Sequence, residues 1–156
     1  METSRKLGFA DEVVGDAKEA VVDADLVIMA VPVGAMGALA ELIVPAMKPG
    51  AVLTDTGSTK RSVLRDVDPV ISDDIHWLPS HPLAGTEHSG PTAGHAHLFD
   101  GRYWIVVPRD VPDDVVVRFE SFLTGLGSVT ERMDADYHDK VLALSLIHIS
   151  EPTRPL

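Results

Sequence analysis

The chain has 156 residues, 45% of them apolar, enough for one compact core and too short for two full domains. Its formal charge is −11, so a phosphate backbone would meet a repulsive field and nucleic acid is not expected as a partner. Cysteine is absent, which removes disulfides, thiolate metal ligands and thiol chemistry, and agrees with a reducing compartment.

In chain order, the polar, helix-like opening METSRKLGFADEVVGDAKEAVVDADLV leads into ADLVIMAVP, residues 24–32. This run of Val, Ile and Leu, stopped by Pro32, is the pattern of a strand buried on both faces of a parallel sheet. GAMGALAELIVPAM follows with Met36, Leu39, Ala40 and Ile43 at helical spacing, and Pro49-Gly50 closes it before the strand AVLTDT. The alternation continues with a helix TKRSVLRDV, a strand IHWLPS, a long polar loop, a strand YWIVVP, a helix DDVVVRFESFLTGLG and a strand SVTERM. This order predicts an α/β fold, a partial Rossmann-like, doubly wound and mostly parallel sheet covered by helices. Pro32, Gly34, Gly37 and Glu41 interrupt the longest apolar stretch and no charged-then-apolar leader opens the chain, so the expectation is a cytoplasmic protein with no membrane partner. No G-x-G-x-x-G occurs, and the expectation is therefore that the first βαβ unit, with its phosphate-binding turn, lies outside this sequence.

Three polar signals fall at strand ends, where open α/β sheets form their ligand crevice: AVPVGA, DTGSTK and SHPLAGTEHSG. Pro32 and Gly34 could let a flat ring or ribose approach the backbone, or could simply turn strand into helix. The hydroxyls of Asp55-Thr56-Gly57-Ser58-Thr59-Lys60 suit a helix N-cap with or without a ligand. In the third segment Ser80, His81, Thr86, Glu87, His88 and Ser89 are packed among Pro82, Gly85, Gly90 and Pro91. A loop of that kind can hold an imidazole in one orientation, and imidazole titrates nearest neutrality, so His81 is the candidate base. Seven histidines invite a metal reading, His95-Ala96-His97 above all, but an i, i+2 pair diverges on strand and helix alike and no metal site is expected. Trp77, Tyr103 and Trp104 flank strands and are expected to pack the core or its rim.

The segments ADLVIMAVPVGAM, LTDTGSTKRSV, HPLAGTEHSGPTAGHAHLFDGRYWIVVP and MDADYHDKVLAL, in this order and spacing, resemble the prephenate and arogenate dehydrogenases of tyrosine biosynthesis from about Leu7 to about Leu144. The resemblance implies oxidative decarboxylation of prephenate or arogenate with NAD or NADP as hydride acceptor. It implies that His81 accepts the ring hydroxyl proton and that Ser58 hydrogen-bonds that imidazole beside the nicotinamide. Gly85, Thr86 and Glu87 would line the substrate pocket, and Val31, Pro32, Gly57 and Ser58 would flank the cofactor. Residues 1–133 would be a truncated dinucleotide-binding domain, and 134–144 the start of a helical domain that makes the homodimer of the full-length parent. The tail LSLIHISEPTRPL reads like a translated transposon-end sequencing adapter, so 145–156 is expected to be non-native and the fragment itself inactive. Two other readings stand beside this one: another Rossmann-type dehydrogenase of a hydroxy acid or imine, and a non-catalytic module that uses the histidine loop to bind a carboxylate.

Overall fold

A computed structural model describes residue 8, residues 10–85 and residues 94–150, the last six by their backbone. Its elements are α1 (Ala17–Val21), β1 (Leu26–Met29), α2 (Val33–Ile43), β2 (Val52–Asp55), α3 (Lys60–Val67), β3 (His76–Leu78), β4 (Ser80–Pro82), β5 (Tyr103–Val106), α4 (Asp113–Gly125), β6 (Val129–Arg132) and α5 (Ala135–Ser150). Single 3₁₀ turns, Val44–Ala46 and Asp68–Val70, end α2 and α3, each with a proline at its start.

The apolar runs become strands as the sequence predicts, and β1, β2 and β3 pair in parallel, with Met29 opposite Asp55 and Thr54 opposite Leu78. Side chains alternate across this sheet. Leu53 lies in a core under α2 and α3 with Met36, Ala40, Val63 and Trp77, while its neighbour Val52 packs on a second core under α4 with Trp104, Val116, Phe119 and Leu123. Helices thus cover both faces. The expectation that β1 is buried on both faces is corrected: β1 is the outermost strand among the described residues, and of its four residues only Met29 is buried while Ile28 is exposed.

A second correction concerns the strand that carries the candidate base. The sequence predicts one strand through residues 75–80 followed by a loop, but Pro79 divides it. Before Pro79 the chain pairs with β2; after it Ser80, His81 and Pro82 form β4, antiparallel to β5, with His81 opposite Ile105. Parallel neighbours require a crossover, usually a helix, and the described residues between Pro82 and Tyr103 contain only turns, so β5 returns antiparallel. Parallel pairing resumes between β5 and β6 across α4, so the described strands form two three-stranded sheets, β1-β2-β3 and β4-β5-β6, that are mostly parallel.

Helices α2 and α3 meet at Gly37, where an added Cβ would lie 2.9 Å from the Asp66 carbonyl oxygen. Backbone cannot yield as a flexible side chain can, so Gly37→Ala is expected to destabilise the protein by about 1–3 kcal/mol, read as a lower urea midpoint with an unchanged denaturant slope.

Candidate functional site

The floor of the site is an ion pair with no exposure to solvent. Asp55 ends β2, Lys60 begins α3, and the Lys60 ammonium bonds the Asp55 carboxylate and the carbonyl of Ser80. The carboxylate folds back over its own turn to accept from the Gly57 N–H at 2.7 Å, and its other oxygen takes the Ser80 N–H at 3.0 Å. That turn requires glycine, because a Cβ at Gly57 would stand 2.8 Å from Asp55 Oδ2 and from Val63 Cγ2. Ser80 completes the floor. Its hydroxyl donates to the Asp55 carbonyl at 2.7 Å and accepts from Trp104 Nε1 at 2.9 Å, which leaves Thr54 Oγ1, also at 2.9 Å, to donate to it. Burial pushes the Lys60 ammonium pKa below its usual value, against the upward pull of Asp55 and Asp139.

Above this floor His81 is half-buried, and α5 reaches it from residues far along the chain. His81 Nδ1 lies 2.9 Å from Nε2 of His138, the two rings meeting edge to face. His138 Nδ1 is 2.7 Å from Asp139 Oδ1, and the same carboxylate accepts the backbone N–H groups of Lys60 at 2.7 Å and Arg61 at 3.0 Å. Asp139 is therefore the N-terminal cap of α3, placed on the positive end of that helix. Asp134 in turn caps α5, accepting from the Tyr137 N–H at 2.8 Å, which fixes the first turn that carries His138 and Asp139. Burial is the main cause that brings His81 down to about 4; the neighbouring His138 and Lys60 add to it, and Asp139 opposes. Burial raises the Asp139 carboxyl, but the N–H groups of Arg61 and Lys60 and the His138 imidazole outweigh it, and the pKa lies below the usual carboxylate range.

Of the residues singled out in the sequence, His81 stands on β4 rather than on a loop beyond a strand end. Among the described residues His81 bonds His138 through Nδ1 and makes no hydrogen bond to Ser58, which is exposed on the turn before α3. Nor does a hydroxyl cap α3, since Thr59 at the cap position makes no side-chain bond to it and Asp139 has its place. Gly57 and Ser58 do lie beside Val31 and Pro32, because Thr56 at the end of β2 donates to the Met29 carbonyl of β1 at 3.1 Å. The two turns form one ledge of small residues on which Pro32 and Ser58 are exposed, and an added Cβ at Gly34 would meet nothing within 4 Å. Gly85, with φ at +140°, borders a cleft of about 290 Å³ that also takes in His95, His97 and Arg102; Thr86 and Glu87 lie outside the described residues. No grouping of three or more His, Asp or Glu that could hold a metal ion occurs among the described residues, and none of their helices is long and apolar enough to cross a membrane.

Asp55, Lys60, Ser80, His138 and Asp139 were not singled out in the sequence as members of the site. The available signals were the lysine closing DTGSTK and the His-Asp pair in MDADYHDK, both of which also suit ordinary helix surfaces.

Lys60→Met leaves Asp55 as an unpaired buried charge and is expected to cost about 3–5 kcal/mol in urea unfolding. Removal of the exposed Arg61–Asp136 pair, 3.2 Å long, is expected to cost less than about 1 kcal/mol. The site also carries a pH dependence. Because the folded state holds His81 below the usual 6.5, the unfolded chain binds the extra proton first, so stability present above pH 6.5 is lost as the pH falls toward about 4. Urea midpoints measured across that window should fall in the parent chain and fall less steeply in His81→Phe.

Residues 1–132 match the family model described as "Prephenate dehydrogenase, nucleotide-binding domain". A cyclohexadienyl dehydrogenase from Zymomonas mobilis is 39% identical over 145 residues, which are 92% of this chain and 49% of that protein. A prephenate dehydrogenase from Bacillus subtilis is 30% identical over 155 residues, covering 92% of this chain and 42% of its own length. The chain thus spans about half the length of these curated relatives or less. The crystal structure of a prephenate dehydrogenase from Aquifex aeolicus, in complex with hydroxyphenyl propionate and NAD+, shares the fold with a TM-score of 0.81 at 24% identity, over 97% of this chain and 58% of that one. The α/β fold, with His81 on the strand that follows Pro79, and the family match over residues 1–132 place the chain in the prephenate dehydrogenase nucleotide-binding domain family.

Proposed function

We propose that this chain is the nucleotide-binding and base-bearing part of an enzyme that oxidatively decarboxylates prephenate or arogenate with NAD+ or NADP+. The observation that carries the reading is a half-buried imidazole, His81, whose pKa is lowered to about 4 and whose neighbour Ser80 bonds Asp55 at the carboxyl end of β2, the strand that Gly57 and Ser58 follow. The ledge fits a nicotinamide nucleotide: its residues are small or exposed, and the open space at Gly34 leaves backbone accessible. A nicotinamide bound there supplies the hydride acceptor.

The chain's own part is a proton. As the substrate's C–H bond breaks and its C–OH carbon becomes a carbonyl carbon, the hydroxyl grows acidic, so a neutral imidazole suffices as acceptor even though burial makes His81 a weak base. The C–C bond to the carboxylate then breaks, carbon dioxide departs, and its electron pair makes the ring aromatic while the oxygen takes a proton back. Positive charge on His81 in the interval is balanced through His138 by the Asp139 carboxylate. Ser58, exposed and free of His81, belongs to the cofactor side of the site in this reading, and Gly85, Thr86 and Glu87 to the substrate side. The same reading makes the full-length parent a cytoplasmic homodimer.

In a full-length relative with the same segment, the substitution equivalent to His81→Asn is expected to lower turnover by about 10²–10⁴-fold, the usual worth of a positioned base, with NAD+ affinity nearly unchanged. Steady-state kinetics and calorimetry test it. Turnover within a few-fold of the unaltered enzyme would remove His81 from the chemistry.

A further inference from the structure

We infer that Asp139 is a positioning residue that acts through His138 to place the proton of His81 on Nδ1, leaving Nε2 as the atom that receives the substrate's proton. A continuous hydrogen-bond chain runs from α3 to the candidate base.

It begins at the helix. The Lys60 and Arg61 N–H groups are donors only, and both point at the Asp139 carboxylate, at 2.7 and 3.0 Å. Two N–H donors on the positive end of a helix hold that carboxylate in its ionised form, which offers no hydrogen. Its third neighbour, His138 Nδ1 at 2.7 Å, must then be the donor. His138 is 1% exposed, and a neutral imidazole that carries its hydrogen on Nδ1 has a bare lone pair on Nε2. That lone pair faces His81 Nδ1 at 2.9 Å, so Nδ1 of His81 must carry the hydrogen. One tautomer remains for His81: N–H at Nδ1 and a free lone pair at Nε2, which meets no hydrogen-bond partner among the described residues.

The direction of the chain is set at its helix end, and a carboxylate is the only group there that cannot reverse it. Asparagine in its place would offer one oxygen to three donors and an amide that can itself donate, so His138 could turn to its other tautomer. His81 would then receive a hydrogen bond at Nδ1 and hold its own hydrogen on Nε2, where a substrate hydroxyl could no longer deliver a proton.

This inference rests on the proposed role of His81 but is tested without turnover, so the two can fail separately. With the histidine ring nitrogens labelled, long-range proton–nitrogen NMR of this chain at neutral pH reads the tautomer of His81 directly. The expected result is a single Nδ1–H pattern in the parent chain and an Nε2–H population in Asp139→Asn. A parent chain whose His81 carries its hydrogen on Nε2 overturns the inference. So does an Asp139→Asn chain that keeps the parent's remaining spectrum and a pure Nδ1–H His81. His138→Leu leaves the carboxylate on α3 and removes the acceptor, so it decides the matter if Asp139→Asn does not fold: mixed tautomers at His81 support the relay, and pure Nδ1–H overturns it.

Discussion

An ammonium and a carboxylate shut away from water persist only when their polar atoms are matched, and that demand, made by Lys60 and Asp55, governs the rest of the site. Asp55 needs more than its cation, so the turn after β2 folds back to present the Gly57 N–H and β4 comes close enough to present that of Ser80. Lys60 needs more than its anion, so the Ser80 carbonyl turns toward it. Once the peptide groups before and after Ser80 are both held, the next residue, His81, has little freedom left. The candidate base is oriented from beneath by a cluster that is itself shut away from solvent.

The same economy shows at the start of α3. A helix needs acceptors for its first N–H groups, and the sequence around it offers Ser58 and Thr59, either of which could serve. The protein instead brings in Asp139 from α5, so one carboxylate caps the helix and anchors an imidazole pair at the same time. Ser58 is thereby released from structural duty and left exposed beside Pro32. The helix end, the histidine pair and the proposed cofactor ledge are three parts of one arrangement, since Asp139 fixes the first and second and frees a member of the third.

Much of this could be read in the residues. Runs of Val, Ile and Leu punctuated by Pro32, Pro49-Gly50 and Pro108 gave strands and helices in the right order because their periods differ and few other elements could use them. His81 stood out through the density of titratable side chains near it. What could not be read came from pairing at a distance. Pro79 looked like an ordinary strand residue, and only the position of β5 turns it into the point where the chain changes partners. Local capping rules search a few residues either way, whereas the cap of α3 stands 79 residues downstream. Lysine at the start of a helix reads as a solvated charge, and nothing near Lys60 in the sequence reports that β2 and β4 close over it.

The long separation between the parts of the proton acceptor carries a consequence for how the molecule comes into being. His81 and its ring partner are 57 residues apart, and the cap joins α3 to α5 across 79, so these contacts close large loops whose entropy must be overcome late. The parallel strands β1 to β3 and their helices can assemble from nearer neighbours before α5 arrives. A chain that has folded its sheet is therefore not yet a chain in which His81 has its ring partner. The histidine pair exists only while α5 is docked, and loosening of that one helix takes His138 and Asp139 away from His81.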